Sequence, residues 1–306
     1  MMKIAAVVVA FNEDYQLAAF REHYHQYGSQ LYKHIIVDNG SKPDYVARLR
    51  HAFPDSAIIT RLGNGGTTAA FNDGIRYALD DSEVEGILLT VQDVQLDPMF
   101  LENLSSLLSS DSTIAGAGGV VFSAGTNNRV ESFGGKVDWN NFVLYPYYNG
   151  SLGTQELPNS LDVDFIPGGI TLVRREVYEK VGLQDDKLFM YCDELDWIFR
   201  VKKSKYRLVV TKVAEAWHQH TTQVAPKGRL LRANFYTFRN RVYLVGKHHG
   251  RIVMLRYWAA STFPLLKPLI SRIIHGHAVD PIMFSQFIGL LYGVLGLMGR
   301  QLYVEE

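Results

Sequence analysis

The first apolar run of the chain, KIAAVVVAF at residues 3–11, is continuous and rich in β-branched side chains, the pattern of a central strand covered on both faces. Helical spacing follows over residues 14–27. HIIVDNGS, residues 34–41, reads as a second buried strand running into turn residues. SAIITRL (56–62) is a third strand, TTAAFNDGIRYALDD (67–81) a helix and EGILLTVQD (85–93) a fourth strand. This β-α-β-α alternation predicts an α/β domain built on a parallel sheet. Ligands of such sheets bind beyond the carboxyl ends of the strands, which singles out residues 11–13, 38–41, 63–66 and 92–95.

From about residue 116 to 170 the pattern changes to short β-like pieces with glycine, asparagine and aromatic residues, read as an irregular or antiparallel insert. Strand character returns in VDFIPGGITLVRR (163–175), a helix follows in REVYEKVG (175–182), and YRLVVTKVAEAWHQH (206–220) closes the alternation. Residues 226–306 read as helical and apolar with interspersed basic residues. The expected organisation is therefore an α/β domain over residues 1–225 and a helical C-terminal region over residues 226–306. Within the latter, residues 281–299 carry no charge but are short for a membrane span. Their Gly289 and Gly293 have the GxxxG spacing that brings helices together in lipid. The preceding stretch, residues 251–277, mixes basic, aromatic and apolar residues as interfacial helices do. A helix pair folded onto the protein, a dimer interface and membrane-surface association all fit this pattern.

Composition narrows the function classes. Lys+Arg and Asp+Glu both number 31 in 306 residues, so net charge supplies no reason to expect a nucleic-acid partner. Hydrophobic residues at 47% suffice for a full core. The one cysteine, Cys192, excludes an intrachain disulfide and fits a reducing, cytoplasmic compartment. The opening apolar run ends too soon, at Asn12 and Glu13, for a signal peptide.

Four places carry candidate chemistry. Asp38, before Asn-Gly-Ser at a strand end, is either an ordinary Asx turn or an acceptor for a base or ribose. Asp93, in LLTVQDVQLDP, is either a loop cap or an oxygen ligand for a hard cation on a diphosphate. His218, beside Trp217, is either packing or a ligand. The stretch YCDELDWIFR, residues 191–200, places Asp193, Glu194 and Asp196 within four positions. Asp193 as N-cap and Asp196 at the third helical position, paired with Arg200, account for two of the acids. Glu194 is left over, a solvated first-turn residue or a general base.

Taken in order, these pieces resemble glycosyltransferase family 2, inverting enzymes of GT-A fold, and especially its bacterial rhamnosyltransferase- and galactofuranosyltransferase-like branch. The resemblance rests on VVVAFNE, IIVDNGS, NGGTTAAFNDGI, VQD, PGGITLVRREVYEKVG, YCDELDWIFR and AWH, and it covers about residues 3–245. It implies a Rossmann-like mixed sheet flanked by helices, with the C-terminal helices appended. It implies that Phe11, Glu13, Asp38, Asn64, Asn72 and Asp93 bind the donor, and that Asp93 and His218 ligate Mg²⁺ or Mn²⁺. Gly168, Gly169, Asp196 and Trp197 fall on the acceptor side, and Glu194, with Asp193 beside it, on the catalytic base. The implied donor is a UDP-, dTDP- or GDP-sugar. The implied acceptor is a glycan or polyprenyl-linked glycan of bacterial surface polysaccharide synthesis, met at the inner face of the cell membrane. Two departures stand out: Val91 replaces the usual first metal-motif Asp, and Glu194 replaces an Asp. Val91 is also the best argument for the alternative of a non-catalytic sugar-nucleotide-binding scaffold. A nucleotidyltransferase would need a basic, glycine-rich first loop, which AFNED is not.

Overall fold

The computed structural model of the chain describes residues 2–12, 16–167, 169–219 and 227–301. Its contacts divide it into two compact units. The first comprises residues 1–137, 144–184 and 197–221, and the second residues 138–143, 185–196 and 222–306.

The first unit is built on a mixed sheet. The strands β1 (Ile4–Ala10), β2 (Lys33–Asp38), β3 (Ala57–Thr60) and β4 (Gly86–Val91) run parallel in the order β3-β2-β1-β4. Every residue of β1 is buried, as its unbroken apolar run requires. Helices α1 (Leu17–Tyr27) and α2 (Pro43–Ala52) cover one face, through Phe20, Tyr45 and Leu49 packed on Val8, Ala10 and Ile36. Helix α3 (Thr67–Leu79) covers the other, and Gly74 lets it approach: a Cβ there would lie 2.2 Å from Val7 Cγ1.

The sheet continues past β4 with changed direction. A short β5 (Val94–Leu96) and helix α4 (Phe100–Ser110) lead into β6 (Ile114–Ser123), followed by β7 (Val130–Ser132) and a hairpin of β8 (Gly135–Asp138) and β9 (Val143–Pro146). Strands β10 (Ser160–Val163), β11 (Ile170–Arg174) and β12 (Arg207–His218) complete the order β10-β12-β6-β11-β4. β11 is antiparallel to both β4 and β6, whereas β12 is parallel to β6. Helix α5 (Arg175–Val181) follows β11, and α6 (Glu194–Lys203) precedes β12.

The stretch read as the start of an irregular insert is thus a ten-residue strand in the middle of the sheet. The reason lies in its glycines. A Cβ at Gly118 would meet Ile166 Cγ2 at 2.4 Å and one at Gly119 would meet the Ala214 carbonyl at 2.0 Å, so close packing removed the side chains that mark a strand.

The second unit is helical. Helices α7 (Lys227–His249), α8 (Arg251–Ile274) and α9 (Pro281–Leu295) form it, together with residues 138–143 and 185–196. Gly289 and Gly293 face α7, where a Cβ would lie 2.4 Å from Phe235 O and 2.6 Å from Arg239 O. Ser285 Oγ donates to Leu231 O at 2.7 Å along the same seam. The GxxxG spacing therefore packs two helices of one chain.

Candidate active site

Because β1 to β4 are parallel, their carboxyl ends open on one edge, and the register places Ala10 beside Asp38, Asp38 beside Thr60 and Val9 beside Val91. Phe11, Asp38, the 63–66 loop and Asp93 follow directly from those ends. Glu13 lies outside the described residues, as do Gly168 and His220.

The loops at this edge are tied by asparagine and serine side chains. Asn12 N–H donates to Ser41 Oγ at 3.0 Å and Lys42 N–H to Asn12 Oδ1 at 2.9 Å, joining the β1 and β2 ends. Asn39 Nδ2 donates to Asn64 Oδ1 at 3.1 Å, Asn64 Oδ1 also accepts from Gly66 N–H at 2.9 Å, and Gly65 N–H donates to Asn39 Oδ1 at 3.2 Å. Asn39, which the sequence reading passed over as a turn residue, is thus the cross-brace between the second and third loops. Asn72, expected on the donor side, is buried in α3, and its amide both donates to and accepts from the backbone of Gln184, at 2.9 and 3.1 Å.

Asp38 forms the Asx turn weighed for it, and leaves one oxygen over. Its Oδ1 accepts from Ser41 N–H at 3.1 Å, an Asx turn. Its Oδ2 is buried and has no donor among the described residues. A buried carboxylate oxygen left without a donor costs about 1–3 kcal/mol or more, so this atom calls for a partner.

A second cluster forms where β5 pairs with β12. Val94 sits opposite His218, and Asp93 O accepts from Gln219 N–H at 2.8 Å, which brings Asp93 Oδ2 to 3.3 Å from His218 Nε2. On the other edge of the ring, Nδ1 lies 3.3 Å from Glu131 Oε1 on β7. Burial disfavours the imidazolium, but the two carboxylates outweigh it and raise the His218 pKa to about 9. Glu131 was missed because nothing local marks it; only the β6–β7 pairing brings it to His218. Among the described residues, no group of three or more His, Cys, Asp or Glu side chains is placed to hold a metal ion. The ring stands between its carboxylates rather than the three converging on one point.

At the end of β4, Val91 stands where the family resemblance would place a first metal-motif carboxylate. Its methyls line the approach of Gly169, whose φ of +87° suits glycine and whose added Cβ would meet Val91 Cγ2 at 3.3 Å.

In the second unit, α6 begins at Glu194, which puts Asp193 at the cap position and Asp196 in the first turn. Burial first and the adjacent Asp193 carboxylate second push the Glu194 pKa up to about 8, as two carboxylates sharing one desolvated place must do. Asp196 is fully buried, and its Oδ1 meets Lys247 Nζ at 2.7 Å and His248 Nε2 at 2.8 Å, both on α7. Lys247 also reaches Asp185 Oδ2 at 2.6 Å, and Tyr243 O–H donates to the same oxygen at 2.8 Å. In the first unit, Trp197 Nε1–H donates to Gly182 O at 2.9 Å and its ring lies 5.2 Å from that of Tyr178; Arg200 donates to Val181 O and Leu183 O.

Comparisons with known proteins bear on the fold and the family. The low-salt glycan biosynthesis hexosyltransferase Agl10 of Haloferax volcanii is 22% identical over 184 residues, 60% of this chain and 58% of that protein. The chain thus spans less than two thirds of this relative. The solved structure of GalNAc-T7 with UDP, GalNAc and Mn²⁺ matches 80% of this chain and 48% of its own, at 14% identity and a TM-score of 0.62. S. aureus TarS matches 79% of this chain and 39% of its own, at 13% identity and a TM-score of 0.49. The GalNAc-T7 likeness shows the fold, the mixed GT-A sheet with flanking helices. The description Glycosyl transferase family 2 matches residues 5–182, more than half of the chain, and to that family the chain belongs.

Proposed function

We propose that the protein is a metal-dependent, inverting glycosyltransferase that moves a hexose from a nucleotide-diphosphate sugar to a hydroxyl of a glycan or lipid-linked glycan. Rhamnose and galactofuranose are the favoured sugars, on the resemblance in the sequence. Family membership supports glycosyl transfer, and one observation carries the donor site: the buried, unpartnered Asp38 Oδ2 at the sheet edge, beside loops braced by Asn12, Asn39 and Asn64. Phe11, half-buried just past β1, offers an apolar face there.

Asp93 and His218 fit a divalent cation carried on the donor diphosphate. A carboxylate oxygen and an imidazole nitrogen lie 3.3 Å apart, and a cation that displaced the Nε2 proton would leave Glu131 holding the proton on the far ring nitrogen. Mg²⁺ or Mn²⁺ bound there would neutralise charge growing on the leaving diphosphate. Glu194 accepts the proton of the acceptor hydroxyl as its oxygen attacks the anomeric carbon from the face opposite the nucleotide, with inversion. A carboxyl whose pKa stands far above the ordinary carboxylate range is a stronger base once ionised, which suits this role.

The second unit supports a surface role. No helix among the described residues is long and apolar enough to cross a membrane. Along α8, however, Ile252, Leu255, Phe263, Ile270 and Ile274 recur at helical spacing and are exposed, Phe263 by 77%. Arg256 and Lys267 interleave with them, and α8 carries no acidic residue. That pattern fits an interfacial helix on an anionic bilayer, where a polyprenyl-linked acceptor would reside.

Calorimetric titration of UDP, dTDP and GDP with Mn²⁺ or with EDTA tests the donor site. One nucleotide should bind with Mn²⁺ and lose affinity in Asp38→Ala. Equal binding by wild type and variant would refute the assignment of Asp38.

A further inference from the structure

Three residues in the four before Asp193 hold a backbone conformation that L side chains rarely adopt, with φ of +65° at Phe189, +59° at Tyr191 and +57° at Cys192. Such backbone persists only where its surroundings enforce it. Here the enforcing groups come from α7. Asn240 is fully buried, and its Nδ2 lies 3.0 Å from Leu188 O, 2.9 Å from Met190 O and 2.7 Å from Tyr191 O. Arg239, also fully buried, donates to Leu188 O at 2.9 Å and to Asn240 Oδ1 at 3.0 Å. Its guanidinium lies 4.7 Å from the Tyr236 ring centroid. Three carbonyls within four residues converge on one amide, which an α or β conformation of this segment would not allow.

We propose that Asn240 is a positioning residue, whose amide gathers the carbonyls of Leu188, Met190 and Tyr191 and so fixes the turn that delivers Glu194 to the first turn of α6. The catalytic part of this proposal rests on Glu194 being the base; the clamp itself does not. Arg239 orients the amide through Oδ1, so both Nδ2 hydrogens face the turn.

Cys192 supplies the readout. It is the chain's one cysteine, lies in the turn and is buried, and burial, ahead of the neighbouring carboxylates, pushes its thiol up to about 12. Native-state labelling with a thiol reagent therefore reports opening of this turn. In Asn240→Ala, labelling should accelerate by about tenfold or more under conditions where circular dichroism shows the folded protein. Turnover with the donor identified by titration should fall by about 10²-fold, with KM for that donor within about threefold of wild type. Asn240→Ser keeps one donor, and should show both effects at smaller amplitude if the alanine variant does not fold. Labelling at the wild-type rate in the folded variant would overturn the clamp. So would labelling that accelerates only in step with global unfolding. Wild-type turnover in Glu194→Gln would remove the catalytic consequence alone, leaving the labelling result to decide the clamp.

Discussion

Asp38 shows how one side chain can serve fold and ligand together. Its Oδ1 closes the turn after β2, and its Oδ2 is buried with no donor among the described residues, the acceptor that the proposed donor contact would use. The turn reading weighed from the sequence is met by one oxygen, and the other is the one on which the proposed donor contact rests, a distinction that no residue pattern encodes. Glu131 is the opposite case, invisible in the sequence because its neighbour His218 is 87 residues away. If it holds the His218 tautomer, Glu131→Ala should weaken Mn²⁺ binding by about 10–100-fold, read by electron paramagnetic resonance. Glu194 carries a stability cost that grows with pH. Its folded pKa is raised, so its contribution to stability is full below the unfolded value near 4.5 and is lost as pH rises through about 8. Glu194→Gln should therefore raise the melting temperature above pH 8 relative to wild type and leave it unchanged at pH 4, by calorimetry. The same shift predicts that wild-type activity falls on the acid side of a pKa near 8 rather than near 4.5.

At the scale of elements, the β-α-β-α half was legible because buried parallel strands leave continuous apolar runs and amphipathic helices leave a 3.6-residue spacing. Helix α3 spans Thr67–Leu79 within the expected 67–81, and β4 ends at Val91 just before Asp93. The legible signal failed at β6, where AGAGGVV carries glycine instead of bulky side chains for reasons set by Ile166 and Ala214, both remote in sequence. It was incomplete at Asp196, for which a helical pairing with Arg200 was expected: Lys247 and His248 on α7 also meet it, contacts across some fifty residues. Gly289 and Gly293 test the α7–α9 seam. A Cβ at Gly289 would lie 2.4 Å from a backbone oxygen, which has no flexible end to yield. Gly289→Ala should lower unfolding free energy by about 1–3 kcal/mol in urea titration, with a similar loss for Gly293→Ala.

For the whole molecule, the family and the sheet were readable from the ordered motifs, whereas the division into units was not. Residues 185–196, which carry Glu194, group with the C-terminal helices rather than with the sheet. A region read from sequence as an appendage thus supplies side chains that hold residues 185–196, Asn240 and Lys247 among them. The α8 surface gives the membrane proposal its own test. Wild type should float with anionic vesicles, and Phe263→Asp with Ile270→Asp should abolish flotation without changing nucleotide binding. The central claim, that Glu194 drives glycosyl transfer from a metal-bound nucleotide sugar, is most directly tested by nucleoside diphosphate release in wild type and Glu194→Gln. Wild type should release the nucleotide in a Mn²⁺-dependent reaction, and the variant should be slower by about 10²–10⁴-fold with donor KM essentially unchanged. Release by Glu194→Gln at the wild-type rate would contradict it.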